Sequence, residues 1–244
     1  MIQKIILWIL SLFDHFYQKR WIKFLKKNKC NRFKLLIDIG AHKGESIKLF
    51  SKNFIIKKII SFEASPINFK YLKKKIEENK QRYNNTEIVL ENIALGAEDK
   101  IIEFNQFNES SSSTIKEIDK ESKYYKRKFR LINFLDNKET YQKIKIKISK
   151  LKDYIEKNNI KKIDFMKIDT EGYEYEILLG LESKIKLVDI IIFEHHYDNM
   201  IKKGYTFGDI NKLLIKNNFN KIYKSRMPFR KTFEYIYKSK EPIN

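Results

Sequence analysis

The feature that most limits what this chain can fold into is a rhythm of short apolar runs and helical patterns, with an acid at the end of four of the runs. Leu35 to Ile39 carries Asp38, Ile59 to Phe62 leads to Glu63, Ile163 to Ile168 to Asp169, and Val188 to Phe193 to Glu194. Helical patterns fill the gaps. Glu45 to Lys52 is one. A second starts at Pro66 after Ser65, with Phe69, Leu72 and Ile76 on one side, and further helices are expected over Glu174 to Leu181 and from the Thr206 cap to Asn217. Ile88 to Leu90, Lys221 to Lys224 and Phe233 to Tyr237 complete the main set of strands. Strands that alternate with helices predict an α/β fold, a doubly wound and mostly parallel sheet of seven strands with helices on both faces. Ligands of such sheets bind outside the carboxyl ends of the strands. The four acids are therefore expected to gather on one rim.

The 244 residues suit one domain, and 42% hydrophobic residues can build its core. A single cysteine, Cys30, excludes an intramolecular disulfide and a cysteine-based zinc cluster. The net charge is +20, but it comes from 44 Lys and only 7 Arg. Arg is the better fork for phosphates and bases, so the charge reads as a solvated surface before it reads as a nucleic-acid footprint. Residues 105–142 are weakly patterned, hold the run Ser110 to Ser113, and read as an insertion or lid. Lys143 to Ile148 alternates Lys and Ile, which predicts an edge strand, and Ser149 is placed to cap a helix to Asn158.

Residues 1–33 form a separate zone, an amphipathic helical extension ahead of a domain at 34–244. Ile5 to Phe13 is nearly all apolar. As helix it spans about 14 Å, far short of the roughly 30 Å hydrocarbon core of a bilayer. Trp8, Tyr17, Trp21 and Phe24 beside Lys23, Lys26, Lys27 and Lys29 fit a helix lying in a membrane interface. The alternative is a helix packed on the domain or on a partner chain. The first reading puts the protein in the cytoplasm, peripheral at the inner face of the membrane through residues 1–29.

The first strand runs into Asp38-Ile39-Gly40-Ala41-His42-Lys43-Gly44 and then a helix. Neither the GxGxxG dinucleotide fingerprint nor the phosphate-cradling GxxxxGK[ST] is present. An acid-led loop suits a ligand that bears an amine. Glu63 follows Gly44 by 19 residues at the end of the second strand, where a carboxylate can accept both hydroxyls of a ribose. Together they describe a site for an unphosphorylated adenosine compound with a cationic tail, which is S-adenosylmethionine.

The segments "LLIDIGAHKGESIKLF", "SFEASPINFKYLKK", "ENIALG", "FMKIDTEGYEYEILLG" and "IIIFEHH" closely resemble, in order, those of the FkbM-type S-adenosylmethionine-dependent methyltransferases. The resemblance implies a class I methyltransferase fold, Rossmann-like, and methyl transfer that is typically to oxygen. It implies that Asp38, Gly40, His42 and Gly44 form the cofactor loop, that Glu63 holds the ribose, and that Asn92 and Ile93 flank the adenine. His42 stands where the family usually has Asn, and Ala64 where it usually has Pro.

A hydroxyl acceptor needs a base or a metal that lowers its pKa. His195 is the first choice of base, because imidazole titrates near neutral pH, with Asp169 and Glu171 next. Asp169 and Glu194 could also jointly hold Mg²⁺. Strand alternation points one of the pair His195 and His196 away from the site. The expected acceptor is a small molecule, sugar or glycan. Two other readings are a nucleic-acid methyltransferase and a membrane-associated binding protein with a vestigial site. The first lacks [DN]PP[YFW] and a cysteine in the core, and the retained acids and glycines argue against the second.

Overall fold

The computed structural model describes residues 17–107, 116, 119, 121–122, 126, 141–197, 201–227 and 231–241. Helix α1 covers 17–27. It is followed by β1 (Arg32–Ile39), α2 (Glu45–Asn53), β2 (Ile55–Phe62), α3 (Pro66–Glu78), β3 (Glu87–Glu91), β4 (Ala94–Leu95) and β5 (Lys100–Phe107). Then come β6 (Tyr141–Ser149), α4 (Leu151–Lys157), β7 (Ile163–Ile168), α5 (Glu174–Leu179), β8 (Val188–His196), α6 (Phe207–Lys216), β9 (Phe219–Arg226) and β10 (Thr232–Ser239).

Seven strands form one sheet in the order β3-β2-β1-β7-β8-β10-β9. Every pair from β3 to β8 is parallel, and β10 runs antiparallel to both β8 and β9. The chain order reverses between β1 and β7, which makes the end of β1 the switch point where a ligand cleft is expected.

Residue parity explains the sheet. Leu36, Phe165, Ile190, Ile192 and Ile236 pack on one face with Trp21, Ile47, Phe50 and Leu72 from α1, α2 and α3. Their neighbours Ile37, Met166, Ile191, Phe193, Tyr235 and Tyr237 pack on the other with Ile155, Ile177, Ile210 and Leu214 from α4, α5 and α6. Successive side chains of a strand point to opposite faces, so central strands covered on both sides must be apolar at nearly every position.

Local chemistry sets the helix starts. Ser65 Oγ accepts from the Asn68 amide ahead of Pro66, and Thr206 with Asp209 closes a reciprocal capping box on α6. Two expectations change. Ser149 ends β6, so Lys150 is the cap of α4 and gives it no side-chain hydrogen bond. The Lys–Ile strand β6 is central, not an edge: it pairs parallel with β4 and antiparallel with β5 in a second, three-stranded sheet. Its alternation is nonetheless real, with Ile146 and Ile148 buried and Lys143, Lys145 and Lys147 exposed.

The second sheet is fixed to α5 at a crossing of two glycines. A Cβ on Gly180 would lie 1.9 Å from the Gly96 carbonyl oxygen, so only glycine permits this approach. The Ser run at 110–113 lies outside the described residues.

Helix α1 packs on the domain. Tyr17, Trp21, Ile22 and Leu25 are buried. Trp21 stacks on Phe54 with ring centroids 6.4 Å apart, and Phe24 meets Tyr223 at 4.8 Å. Tyr17 donates to the Ser225 carbonyl at 2.9 Å and accepts from the Glu234 amide at 3.2 Å. Three of the aromatic residues read as interfacial, Tyr17, Trp21 and Phe24, therefore make tertiary contacts. Ile5 to Phe13 and Trp8 lie outside the described residues. Among the described residues no helix is long and apolar enough to cross a membrane.

Candidate active site

A cleft of about 750 Å³ opens at the carboxyl ends of β1, β2, β7 and β8. Its cofactor-loop side is built by Gly40, Ala41 and His42. The amides of Gly40 and Ala41 both donate to the Phe62 carbonyl, at 2.9 and 3.0 Å, which ties the loop to the end of β2. A Cβ on Gly40 would fall 1.9 Å from the Asp169 carbonyl oxygen, and φ there is +84°. The β1 loop thus crosses the β7 loop at a contact closed to any side chain. Gly44, with φ +85°, caps α2 and lies against Leu72.

Glu63 is buried at the end of β2. One carboxylate oxygen accepts from the His42 amide at 2.8 Å and the other from the Ser65 amide at 2.9 Å. Burial raises its pKa, against the pull of those two amides. The group is thus fixed between two loops, and each oxygen keeps acceptor capacity for a ligand hydroxyl. Ile93, Leu95 and Phe104 supply an apolar wall of the cleft. Asn92 does not line it. Its amide donates to the Glu63 carbonyl at 2.7 Å and holds the β3–β4 corner against β2.

Asp38 is fully buried behind the loop and does not line the cleft either. It accepts from Ser46 Oγ of α2 at 2.5 Å, and Lys167 Nζ lies 3.8 Å from its other oxygen. Burial raises its pKa. Asp169 holds the same lysine closer, at 3.0 Å. Burial raises the Asp169 pKa, but the ammonium and its hydrogen bond outweigh that and leave it lowered. Lys167, two residues before Asp169, shares its face by strand alternation.

Parity also places Glu194 and Glu234 on this face. They are direct partners across β8 and β10, and both line the cleft. Burial raises the Glu194 pKa well above the ordinary value, helped by Asp169 and Glu234. Burial likewise pushes Glu234 up to about 8.

His195 takes the opposite face. It is 3% exposed, and its ring packs against Tyr197, Tyr205 and Phe207 at 4.8, 6.0 and 5.8 Å, outside the cleft. Burial lowers its pKa to about 3. The ring is neutral at physiological pH but cannot reach an acceptor in the cleft. The other histidine is nearer: His196 Nε2 lies 3.5 Å from Glu171 Oε2, and its Nδ1 is 3.0 Å from Thr232 Oγ1. Glu171 has φ +51° and lines the cleft.

The Asp169–Glu194 pair does not fit the expected Mg²⁺. The Lys167 ammonium already sits against Asp169, and burial beside Asp169 and Glu234 raises the Glu194 pKa, which disfavours the ionised carboxylate that Mg²⁺ needs. Among the described residues no group of three His, Cys, Asp or Glu side chains is arranged for a metal.

Three functional positions escaped the reading of the sequence: Lys167, Glu234 and Glu174. Glu174 opens α5 and is buried. Its Oε1 accepts from the amides of Thr170 and Gly172 at 3.2 and 3.0 Å, and Tyr205 donates to Oε2. It shapes the loop that carries Asp169 and Glu171. Parity was the available signal for Lys167 and Glu234. For Glu174 the sequence offers none.

Strand order, loop glycines and an acid at the end of β2 define a class I S-adenosylmethionine-dependent methyltransferase. A family model described as the methyltransferase FkbM domain matches residues 38–223, and the chain belongs to that family. Magnesium protoporphyrin IX methyltransferase (ChlM) from Synechocystis PCC 6803 with bound SAM is similar in fold, at a TM-score of 0.53 and 9% identity, over 93% of this chain and 80% of that one. The same enzyme with bound SAH gives 0.53 and 9% over 94% and 85%. The methyltransferase FkbM from Methylobacillus flagellatus KT gives a TM-score of 0.48 at 14% identity, over 84% of this chain and 43% of that one. No curated protein matches the chain at the level of sequence.

Proposed function

We propose that this methyltransferase acts on a hydroxyl oxygen of a small molecule, sugar or glycan, with Glu171 as the proton acceptor. When bound, S-adenosylmethionine supplies an electrophilic methyl group on a sulfonium. The chain must then hold the acceptor oxygen in line and take up its proton. The observation that carries this reading is Glu171, a carboxylate on the cleft surface backed by the His196 ring at 3.5 Å. Glu171 would take the hydroxyl proton as the acceptor oxygen bonds to the methyl group and the sulfur–methyl bond of the cofactor breaks, its electron pair staying on sulfur. Asp169, held ionised by Lys167, is a weak base but a fixed negative charge beside the cationic cofactor. Gly40, His42 and Glu63 are assigned to the cofactor, with Ile93 against the adenine. Asp38, Gly44 and Asn92 support that surface from behind.

Calorimetric titration with S-adenosylhomocysteine tests the cofactor site, and transfer of labelled methyl to a panel of hydroxyl acceptors tests the reaction. Glu171→Gln should bind the product normally and lose about 10²- to 10⁴-fold in kcat. An unchanged rate would remove Glu171 from the mechanism.

The exposed face of α1, with Lys19, Arg20, Lys23, Lys26 and Lys27, supports peripheral contact with an anionic membrane surface at the cytoplasmic side. The test is liposome sedimentation with and without residues 1–16. A longer deletion would open the core at Tyr17 and Trp21.

A further inference from the structure

The cleft extends past the cofactor loop to an end lined by elements outside the family match. Helix α1 precedes residue 38, and Met227 and β10 follow residue 223. Tyr17, Gln18, Trp21, Glu194, Met227 and Glu234 line this end. Glu234 is 5% exposed, and its Oε2 has no hydrogen-bond partner. Glu194 stands beside it as its cross-strand partner. Lys167 brings one positive charge to four carboxylates. It is committed to Asp169 at 3.0 Å and reaches towards Asp38 at 3.8 Å.

A buried carboxylate without a partner is costly, and an ionised one far more so. From this arrangement we propose that the end of the cleft is an acceptor subsite for an amino sugar, whose free ammonium is received by Glu234 and Glu194 while a ring hydroxyl faces Glu171. The proposal rests on the sugar-hydroxyl reading above and narrows it. The ammonium is the charge this end of the cleft lacks. Burial raises the pKa of both glutamates in its absence, that of Glu234 to about 8. On binding, one glutamic acid gives its proton to solvent and pairs with the ammonium as carboxylate, and the other accepts from the ammonium through its carbonyl oxygen, so charge balances and one hydrogen bond is charge-assisted on both sides. The buried aromatic side chains Tyr17 and Trp21 of α1 line this end, and low-dielectric surroundings strengthen those bonds.

The test uses the full chain saturated with S-adenosylhomocysteine and saturation-transfer NMR at neutral pH. The probes are the methyl glycosides of glucosamine, galactosamine and mannosamine, each beside its N-acetyl form. At least one free-amine glycoside should bind, and its N-acetyl form should bind about tenfold more weakly or worse, the worth of one charge-assisted contact. Glu234→Gln should abolish the preference without changing affinity for S-adenosylhomocysteine, and Glu194→Gln provides a second variant should the first not fold. Equal binding of both forms, no binding of any free-amine glycoside, or a preference that survives in both variants would overturn the subsite and leave the methyltransferase reading standing. Loss of S-adenosylhomocysteine binding by the wild-type chain would overturn both.

Discussion

Replacing Lys167 by Met removes the one ammonium that Asp169 and Asp38 share, at 3.0 and 3.8 Å, while the apolar stem is roughly conserved. Breaking a buried ion pair from one side costs about 3–5 kcal/mol, because the remaining charge is left unsolvated. Asp38 is fully enclosed and pays that cost in full, whereas Asp169 keeps 31% of its side chain exposed and recovers part of it from water. The expected loss at neutral pH is therefore about 3–5 kcal/mol. The pH dependence has a definite sign. The Asp169 pKa is lowered in the folded state, so its contribution is present above the unfolded value and lost as pH falls. Without Lys167, burial raises it instead, the folded state binds the extra proton, and the penalty shrinks in acid. Urea unfolding of both proteins across the acid-to-neutral range measures this. A loss below about 1 kcal/mol, or one that does not grow with pH, would refute the account of Lys167 as the counter-charge.

Gly40→Ala should lose S-adenosylhomocysteine binding and destabilise the fold by more than the about 1–2 kcal/mol of a left-handed non-glycine residue, since its Cβ would fall 1.9 Å from a backbone oxygen; a thermal melt near wild type would contradict it. Glu234 holds its proton up to about 8 in the fold and to about 4.5 unfolded, so wild-type stability should fall as pH rises through that window. Glu234→Gln should flatten that slope in denaturant titrations. His195→Phe should leave methyl transfer intact, because the ring is on the far face of β8. It should also remove acid lability: the folded pKa of about 3 lies below the unfolded 6.5, so wild type loses stability as pH falls below 6.5, and unfolding of the variant in acid reads the difference.

What the sequence disclosed followed the backbone. Apolar runs ending in acids located β1, β2, β7 and β8, and the glycines at 40 and 44 located the loop, because only glycine tolerates those dihedral angles and approaches. Side-chain direction was the weak link. His195 ranked first as base on its titration range alone, yet Ile191 and Phe193 on the same strand already assign odd positions to the α5–α6 face. The same parity joins Asp38, Lys167, Glu194 and Glu234 into one group. Helix α1 left two readings open for another reason. An amphipathic stripe reports that one face is apolar and is silent on whether lipid or Trp21's neighbours Phe50 and Phe54 cover it. The contacts of Glu174 could not be read at all, since they join Thr170, Gly172 and Tyr205 through the shape of a loop.

The glycine crossing at residues 96 and 180 has a consequence for how this enzyme can diversify. Strands β5 and β6 stay paired out to Phe107 and Tyr141, and their bases are clamped to α5 where no side chain can be inserted. The stretch between those two residues thus leaves and returns at a fixed doorway. Doubling its length would cost only about 0.6 kcal/mol in closure entropy. The paired ends of β5 and β6 fix the two points that this stretch connects, so a change in its length leaves the glycine crossing in place at little cost.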